Sequence, residues 1–133
     1  MIGTRRDIVV EYRNKTVVGL TELIHVRGPT GATKDVLARI DTGATKSSID
    51  VRLAAELQLG PVLKTKLVKS ASGTTLRPVV RSTIDIANKS IPAELTIADR
   101  SHMKYRVLIG QNIICDNGFL IDPAKGEPGD GDD

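Results

Sequence analysis

Short runs of β-branched and aliphatic residues, several of them alternating with polar ones, recur along the chain between turn-forming residues. The first two are Asp7 to Arg13 and Thr16 to Val26, split by Asn14-Lys15. Residues of this kind suit a pleated, half-buried surface, and a short polar break between two such runs predicts a hairpin or a short link. Gly28-Pro29-Thr30-Gly31 is strong loop punctuation ahead of a further run, Val36 to Ile40. Val62 to Val68, Thr74 to Ile86 and Ile91 to Ile97 predict three more strands, with Ser70, Ala71, Ser72 and Gly73 as a polar turn between the first two. Val107-Leu108-Ile109 and Phe119-Leu120-Ile121 are short apolar runs near the end.

Helical signals are few and brief. Asp50 can cap a helix reaching Leu57, with Leu53 and Leu57 on one face, Arg52 and Glu56 spaced to pair, and Gly60-Pro61 as a stop. Gly110 to Asn117 predicts a second short helix. From Pro123 the Gly, Pro and acidic content cannot bury enough apolar surface to offset the entropy of ordering, so residues 124–133 are expected to form a disordered acidic tail. Residues 1–15 read as a basic extension or first strand, and 16–123 as one domain.

Composition agrees with an all-β fold. The chain has 133 residues, 40% of them hydrophobic, which supplies a core without disulfides or a metal. Aromatics amount to 2%, so Val, Ile and Leu fill the interior. Cys115, the one cysteine, follows Ile113-Ile114 and is expected to be a core thiol. With neither a secretory pattern nor a long apolar span, the expected location is cytoplasmic and no membrane is implied. The net charge of +3 conceals a basic body, because Glu127, Asp130, Asp132 and Asp133 crowd the end. Nucleic acid is a poor match for that charge, since stacking aromatics are nearly absent and no binding motif occurs. A small barrel binding DNA or RNA is therefore disfavoured, whereas a basic face guiding an acidic peptide is a testable alternative.

The candidate chemistry lies in Asp41-Thr42-Gly43-Ala44, directly after the run ending at Ile40. Such a turn holds a carboxylate at a strand end, and Gly43 permits a close backbone approach. Taken alone, Asp-Thr-Gly is an ordinary β-turn. Peptide hydrolysis by carboxylates needs two of them sharing a proton around one water, and the chain supplies one such turn. With no internal repeat visible, a homodimer would supply the second.

The order of Ile40-Asp41-Thr42-Gly43-Ala44, a hairpin from Val62 to Val80 with Gly73 near its tip, and Val107-Leu108-Ile109-Gly110-Gln111-Asn112 resembles the retropepsins, small dimeric aspartic proteases of retroviral type. Ser47-Ser48, Ser70-Ala71-Ser72-Gly73, Arg77-Pro78-Val79-Val80, Leu95 to Tyr105 and Phe119 to Asp122 are similar to a cellular retropepsin-like family labelled putative ATP-dependent zinc proteases. The resemblance implies a closed β-barrel with one lobe per chain and one or two short helices, acting as a dimeric aspartic endopeptidase on an extended peptide or protein. Asp41 would be catalytic. Thr42, Gly43 and Ala44 would support its loop, with Thr42 bracing across the dimer and Gly43 offering its carbonyl to substrate. Leu108, Ile109 and Gly110 would form the apolar segment under the site, and Ser70, Ala71, Ser72 and Gly73 the flap tip. A peptide-binding or assembly module of the same fold, without hydrolysis, is the alternative.

Departures from the family pattern are informative. Ala44 stands where two-lobed cellular enzymes carry a hydroxyl residue, which removes a donor favouring ionised aspartate and predicts a less acidic optimum. Thr45 and Gln111 replace an acidic residue and an arginine of the viral enzymes, so a charged network there is not expected. Lys46 is a candidate for recognising an acidic group. The resemblance also implies association with glutamate-ligating ATP-grasp partners and substrates that are acidic or glutamate-modified. No phosphate-cradling loop occurs, so ATP dependence would come from such a partner. His25, His102 and Cys115 lack metal-ligand spacing, and an Asp99–His102 pair is more simply a solvated loop; no metal and no other cofactor is expected.

Overall fold

A computed structural model describes residues 9–71 and 73–125. Val10–Tyr12 (β1) and Lys15–Val18 (β2) form a hairpin whose turn residues, Arg13 and Asn14, have φ of 53° and 66°. This left-handed pair matches the twist of the strands it joins. The turn thus lies one residue earlier than Asn14-Lys15, and Lys15 is in a strand. Asp7 of the first predicted run lies outside the described residues. The second run, Thr16 to Val26, is broken at Gly19-Leu20, and its remainder is Thr21–Arg27 (β3).

Six strands close a barrel. β3 pairs antiparallel with Thr33–Ile40 (β4), which lies parallel to Val107–Ile109 (β9). Ser47–Asp50 (β5) follows, antiparallel to β9 and parallel to Lys89–Ala98 (β8). Gly73–Ile86 (β7) pairs antiparallel with β8 and returns to β3 through His25↔Asp85 and Val26↔Ile84. Closure removes the open edges of the sheet. Beside the barrel, Phe119–Ile121 (β10) adds parallel to β2.

The 14 residues of β7 divide into two parts. Val79 to Ile86 belongs to the barrel, and Val80, Ile84 and Ile86 point into its core. Gly73 to Val79 instead pairs with Lys64–Ser70 (β6) as a hairpin that reaches beyond the barrel, where Leu67 and Leu76 face each other at 59% and 67% exposure. The core is almost wholly aliphatic, with Ile24, Ile49, Leu53, Leu95, Ile109 and Ile113 nearly inaccessible. Phe119 is its one aromatic residue among those described.

The first helix, Val51–Glu56 (α1), begins as the sequence predicts, with the Asp50 side chain accepting the Arg52 N–H at 3.2 Å. The Arg52–Glu56 pair does not form. Glu56 meets Arg106 at 2.9 Å and Arg52 reaches Asp99 at 3.4 Å, because neighbouring loops offer better-placed partners than the next helical turn. Gln111–Ile114 (α2) continues as a tighter turn over Cys115–Asn117. Ile113 and Ile114 take its inner face, which leaves Cys115 exposed and corrects the expectation of a core thiol.

Pro123 to Lys125 form an ordered turn, so the fold runs beyond the predicted start of the tail at 124. Lys125 Nζ meets Glu22 Oε2 at 2.8 Å, with the two side chains 7% and 5% exposed. Glu22 occupies an inward position of β3, and its carboxylate also accepts the Gly19 N–H at 2.7 Å. Residues 126–133 and 1–8 lie outside the described residues.

Candidate active site

β4 delivers Asp41 to the end of the barrel beside the end of β9. The Asp41 N–H donates to the Ile109 carbonyl at 2.8 Å, extending the β4–β9 ladder by one residue. The chain then turns, with the Ala44 N–H on the Asp41 carbonyl at 3.2 Å. The Gly43 N–H donates to Asp41 Oδ1 at 2.9 Å and fixes the carboxylate. A Cβ on Gly43 would stand 3.3 Å from that oxygen, so glycine keeps the approach open.

The segment after β9 locks this loop from behind. Gln111 N–H donates to the Ala44 carbonyl at 2.8 Å, and its side-chain Nε2 donates to the Thr42 carbonyl at 2.7 Å. Gln111 therefore braces the aspartate turn within one chain. Thr45 contributes its backbone carbonyl, which accepts the Asn112 N–H at 3.3 Å. Gly110 has no room for a side chain, since a Cβ would lie 2.4 Å from the Lys46 carbonyl oxygen and 2.8 Å from that of Ala44.

Behind both segments lies Ser47, fully buried on β5. Its hydroxyl accepts the Gly110 N–H at 2.9 Å and donates to Asn112 Oδ1 at 2.7 Å, while Asn112 Nδ2 donates to the Glu94 carbonyl at 3.1 Å. β5 escaped the sequence reading because its four residues are all buried although three are polar. Most of those polar groups find partners roughly fifty to sixty-five residues away, as Asp50 Oδ1 does in the Arg100 N–H at 2.7 Å, while Asp50 Oδ2 takes the local Arg52 N–H. No local periodicity registers such a strand.

Asp41, Thr42, Gly43 and Ala44 are thus assembled with Leu108, Ile109 and Gly110. Ser70, Ala71 and Gly73 lie at the tip of the β6–β7 hairpin, with Ser70 paired to Gly73, and Ser72 lies outside the described residues. Between this hairpin and the loop after Asp41 runs a cleft of about 410 Å³. Ala44, Thr45 and Leu108 form one wall. Lys46, Lys66, Lys69, Arg77 and Arg100 also line it, and no Asp or Glu does among the described residues. Except for Lys46, sequence reasoning missed this set, because each cation alone reads as solvated charge. Arg100 is half-buried, and burial, followed by the Arg77 charge, holds its pKa below the usual arginine value.

The metal-capable residues remain apart. Asp99 is engaged by Ser101, whose hydroxyl and backbone N–H hold its pKa down to about 2, and His102 is exposed. His25 pairs with Asp35 across β3 and β4. Among the described residues, no three His, Cys, Asp or Glu side chains gather as a metal cluster.

A family model described as the retropepsin-like aspartic endopeptidase RimB matches residues 52–128, more than half of the chain. The chain belongs to the RimB-like family. The matched stretch begins after the Asp41 turn and takes in the hairpin, Arg100 and the Gly110 segment. Solved structures agree on the fold. A Legionella pneumophila protein of unknown function, Lpg0085, superposes with a TM-score of 0.58 at 20% identity, covering 81% of this chain and 93% of its own. EIAV protease complexed with the inhibitor HBY-793 gives 0.59 at 18% identity, covering 80% and 93%. Two curated relatives are named probable alpha-L-glutamate ligase. The one from Desulfotalea psychrophila is 29% identical over 115 residues, spanning 67% of this chain and 24% of the ligase. The one from Parasynechococcus marenigrum is 38% identical over 64 residues, 47% of this chain and 14% of the ligase. The chain thus spans a quarter or less of the ligases it matches.

Proposed function

We propose that this RimB-like chain is one lobe of a homodimeric aspartic endopeptidase that cleaves acidic, glutamate-rich protein segments. The observation that carries the peptidase reading is the Asp41 carboxylate, set at a strand end by the Gly43 N–H on a loop whose next residues, Ala44 and Thr45, line the cleft under the hairpin although Asp41 itself does not. One chain holds one such turn, and a second copy completes the pair.

Two facing carboxylates share one proton, since like charges at close range cannot both ionise. The ionised Asp41 takes a proton from water as its oxygen attacks the scissile carbonyl, and the protonated Asp41 hydrogen-bonds the carbonyl oxygen. Collapse of the tetrahedral species transfers a proton to the departing amine and breaks the C–N bond. Gly43 and the hairpin hold the extended peptide through backbone contacts, and hairpin closure excludes water. The pair titrates as a unit.

The substrate reading rests on the five cations of the cleft and on the absence of lining carboxylates among the described residues. The name of the matched ligases supports it, because a segment like this one lies within proteins named for joining glutamate. A glutamate-ligating ATP-grasp enzyme is accordingly the proposed partner. No helix among the described residues is long and apolar enough to cross a membrane. The test compares kcat/KM for a glutamate-rich peptide and its glutamine counterpart at rising salt. Preference for the acidic peptide that shrinks with salt supports the substrate reading, and equal cleavage at all salt concentrations removes it.

A further inference from the structure

Arg100 is the anomaly of the cleft. Its guanidinium is half-buried, yet it forms no ion pair with a carboxylate among the described residues. It is held in one pose instead. Nε donates to the Tyr105 carbonyl at 2.9 Å, Nη1 to Ser48 Oγ at 3.2 Å, and the backbone N–H to the buried Asp50 at 2.7 Å. The remaining terminal nitrogen, Nη2, makes no hydrogen bond among the described residues. A desolvated guanidinium with a free edge is a ready site for a carboxylate, which it can meet with charge-assisted hydrogen bonds.

Arg77 approaches from the other side. It sits on the hairpin, opposite Lys66 in the β6–β7 register, lines the same cleft and pairs with no carboxylate among the described residues. After burial, the Arg77 charge is the strongest influence lowering the Arg100 pKa, against Asp50 and Asp41, which raise it. Two cations drawn together in a partly desolvated space repel each other, and an anion between them turns the repulsion into attraction on both sides. Lys46, Lys66 and Lys69 are exposed and supply a diffuse field, whereas Arg100 is fixed and Arg77 moves with the hairpin.

We propose that Arg100 and Arg77 form a clamp for a single substrate carboxylate, Arg100 as the fixed jaw and Arg77 as the jaw carried by the hairpin, so that an acidic side chain is required to close the cleft. This deepens the acidic-substrate reading and rests on it. The clamp makes both arginines specificity-determining residues, and neither touches the reacting atoms. Without an acidic group the two guanidiniums hold the hairpin away from the wall; with one, closure and substrate recognition become one event.

The test measures binding on full-length Asp41→Asn protein, so that it does not depend on turnover. Labelled penta-glutamate and penta-glutamine are titrated by fluorescence anisotropy, with Arg77→Gln, Arg100→Gln, the double variant and Lys69→Gln, each checked by thermal melting. The clamp predicts selective penta-glutamate binding that falls about tenfold or more in each arginine variant. The double variant should lose little beyond the worse single one, because both residues serve one carboxylate. Lys69→Gln should cost less than about threefold, and its effect should fade with salt. Arg77→Gln keeps the test decisive if Arg100→Gln melts, since Arg77 is on the hairpin. Hydrogen exchange over residues 64–79 should slow on penta-glutamate binding, and should not slow in Arg77→Gln.

Arginine variants no worse than Lys69→Gln, additive salt-screened losses, or no penta-glutamate binding by a folded protein would each overturn the clamp. Failure of the parent reading looks different. An inactive wild type whose Asp41→Asn form still binds through both arginines removes the peptidase and keeps the clamp, while cleavage without acidic preference does the reverse.

Discussion

Ser47→Ala isolates the contact that ties the aspartate loop to the segment behind it. The hydroxyl is inaccessible to solvent, accepts the Gly110 N–H at 2.9 Å and donates to Asn112 Oδ1 at 2.7 Å. Removing it leaves the Gly110 N–H buried without an acceptor, which costs about 1–3 kcal/mol. The backbone there is packed against the Ala44 and Lys46 carbonyls, leaving little room for a water to substitute. Asn112 is half-buried and can turn to solvent, so its loss adds little. The expected total is about 2 kcal/mol. With a urea dependence of about 2 kcal/mol per molar for a domain of this size, the unfolding midpoint should fall by about 1 M at fixed protein concentration. Thr45→Ala, at an exposed neighbour, should stay within about 0.5 kcal/mol of wild type. Ser47→Ala and Asn112→Ala together should show coupling of at least about 0.5 kcal/mol. A Ser47→Ala midpoint within about 0.2 M of wild type, at unchanged slope, would mean that the Ser47 hydroxyl does not hold the two segments together.

Gly110→Ala places a methyl 2.4 Å from the Lys46 carbonyl oxygen, so it should destabilise by at least about 2 kcal/mol and displace the Asp41 loop, seen as lost amide-shift dispersion at residues 41–46 by NMR. Lys125→Met leaves Glu22 as an unpaired charge in a nearly closed site and should cost about 3–5 kcal/mol in urea unfolding, whereas adding Glu22→Leu should recover much of the loss. Asp99, held near 2 by Ser101, should remain ionised well below its ordinary 3.8 in a carboxyl NMR titration. Because its folded pKa is depressed, its contribution to stability is present above 3.8 and lost as pH falls through about 2. Ser101→Ala should move its titration toward the ordinary value. Asp85, through the Ser90 hydroxyl and then Arg27, and Glu94, through Lys64, should also titrate below the usual carboxylate range.

The strands legible in the sequence are those whose two faces differ. β3 alternates strictly, with Glu22, Ile24 and Val26 inward, and the barrel half of β7 alternates in the same way. β5 was illegible because both its faces are buried and its polar residues find partners far along the chain. The Asp41 turn stood out through residue type and position, since an Asp-Thr-Gly after an apolar run has few equivalents in a short chain. The cations of the cleft were hidden for the opposite reason. Lys66 and Arg77 come from facing strands of the hairpin and Arg100 from the loop after β8, so their convergence exists only in three dimensions. Cys115 shows the limit of reading neighbours, because one residue beyond two buried isoleucines the turn has already rotated outward.

Hydrolysis of peptide bonds by Asp41 in a dimer is open to a direct test. Wild type and Asp41→Asn should be incubated with a peptide library that includes glutamate-rich and oligo-glutamylated members, with cleavage followed by mass spectrometry and mass by light scattering. Both proteins should be dimers of equal mass, with cleavage by wild type alone and concentrated among the acidic peptides. Equal cleavage by both proteins, or none by a well-folded wild-type dimer across the library, would contradict hydrolysis by Asp41.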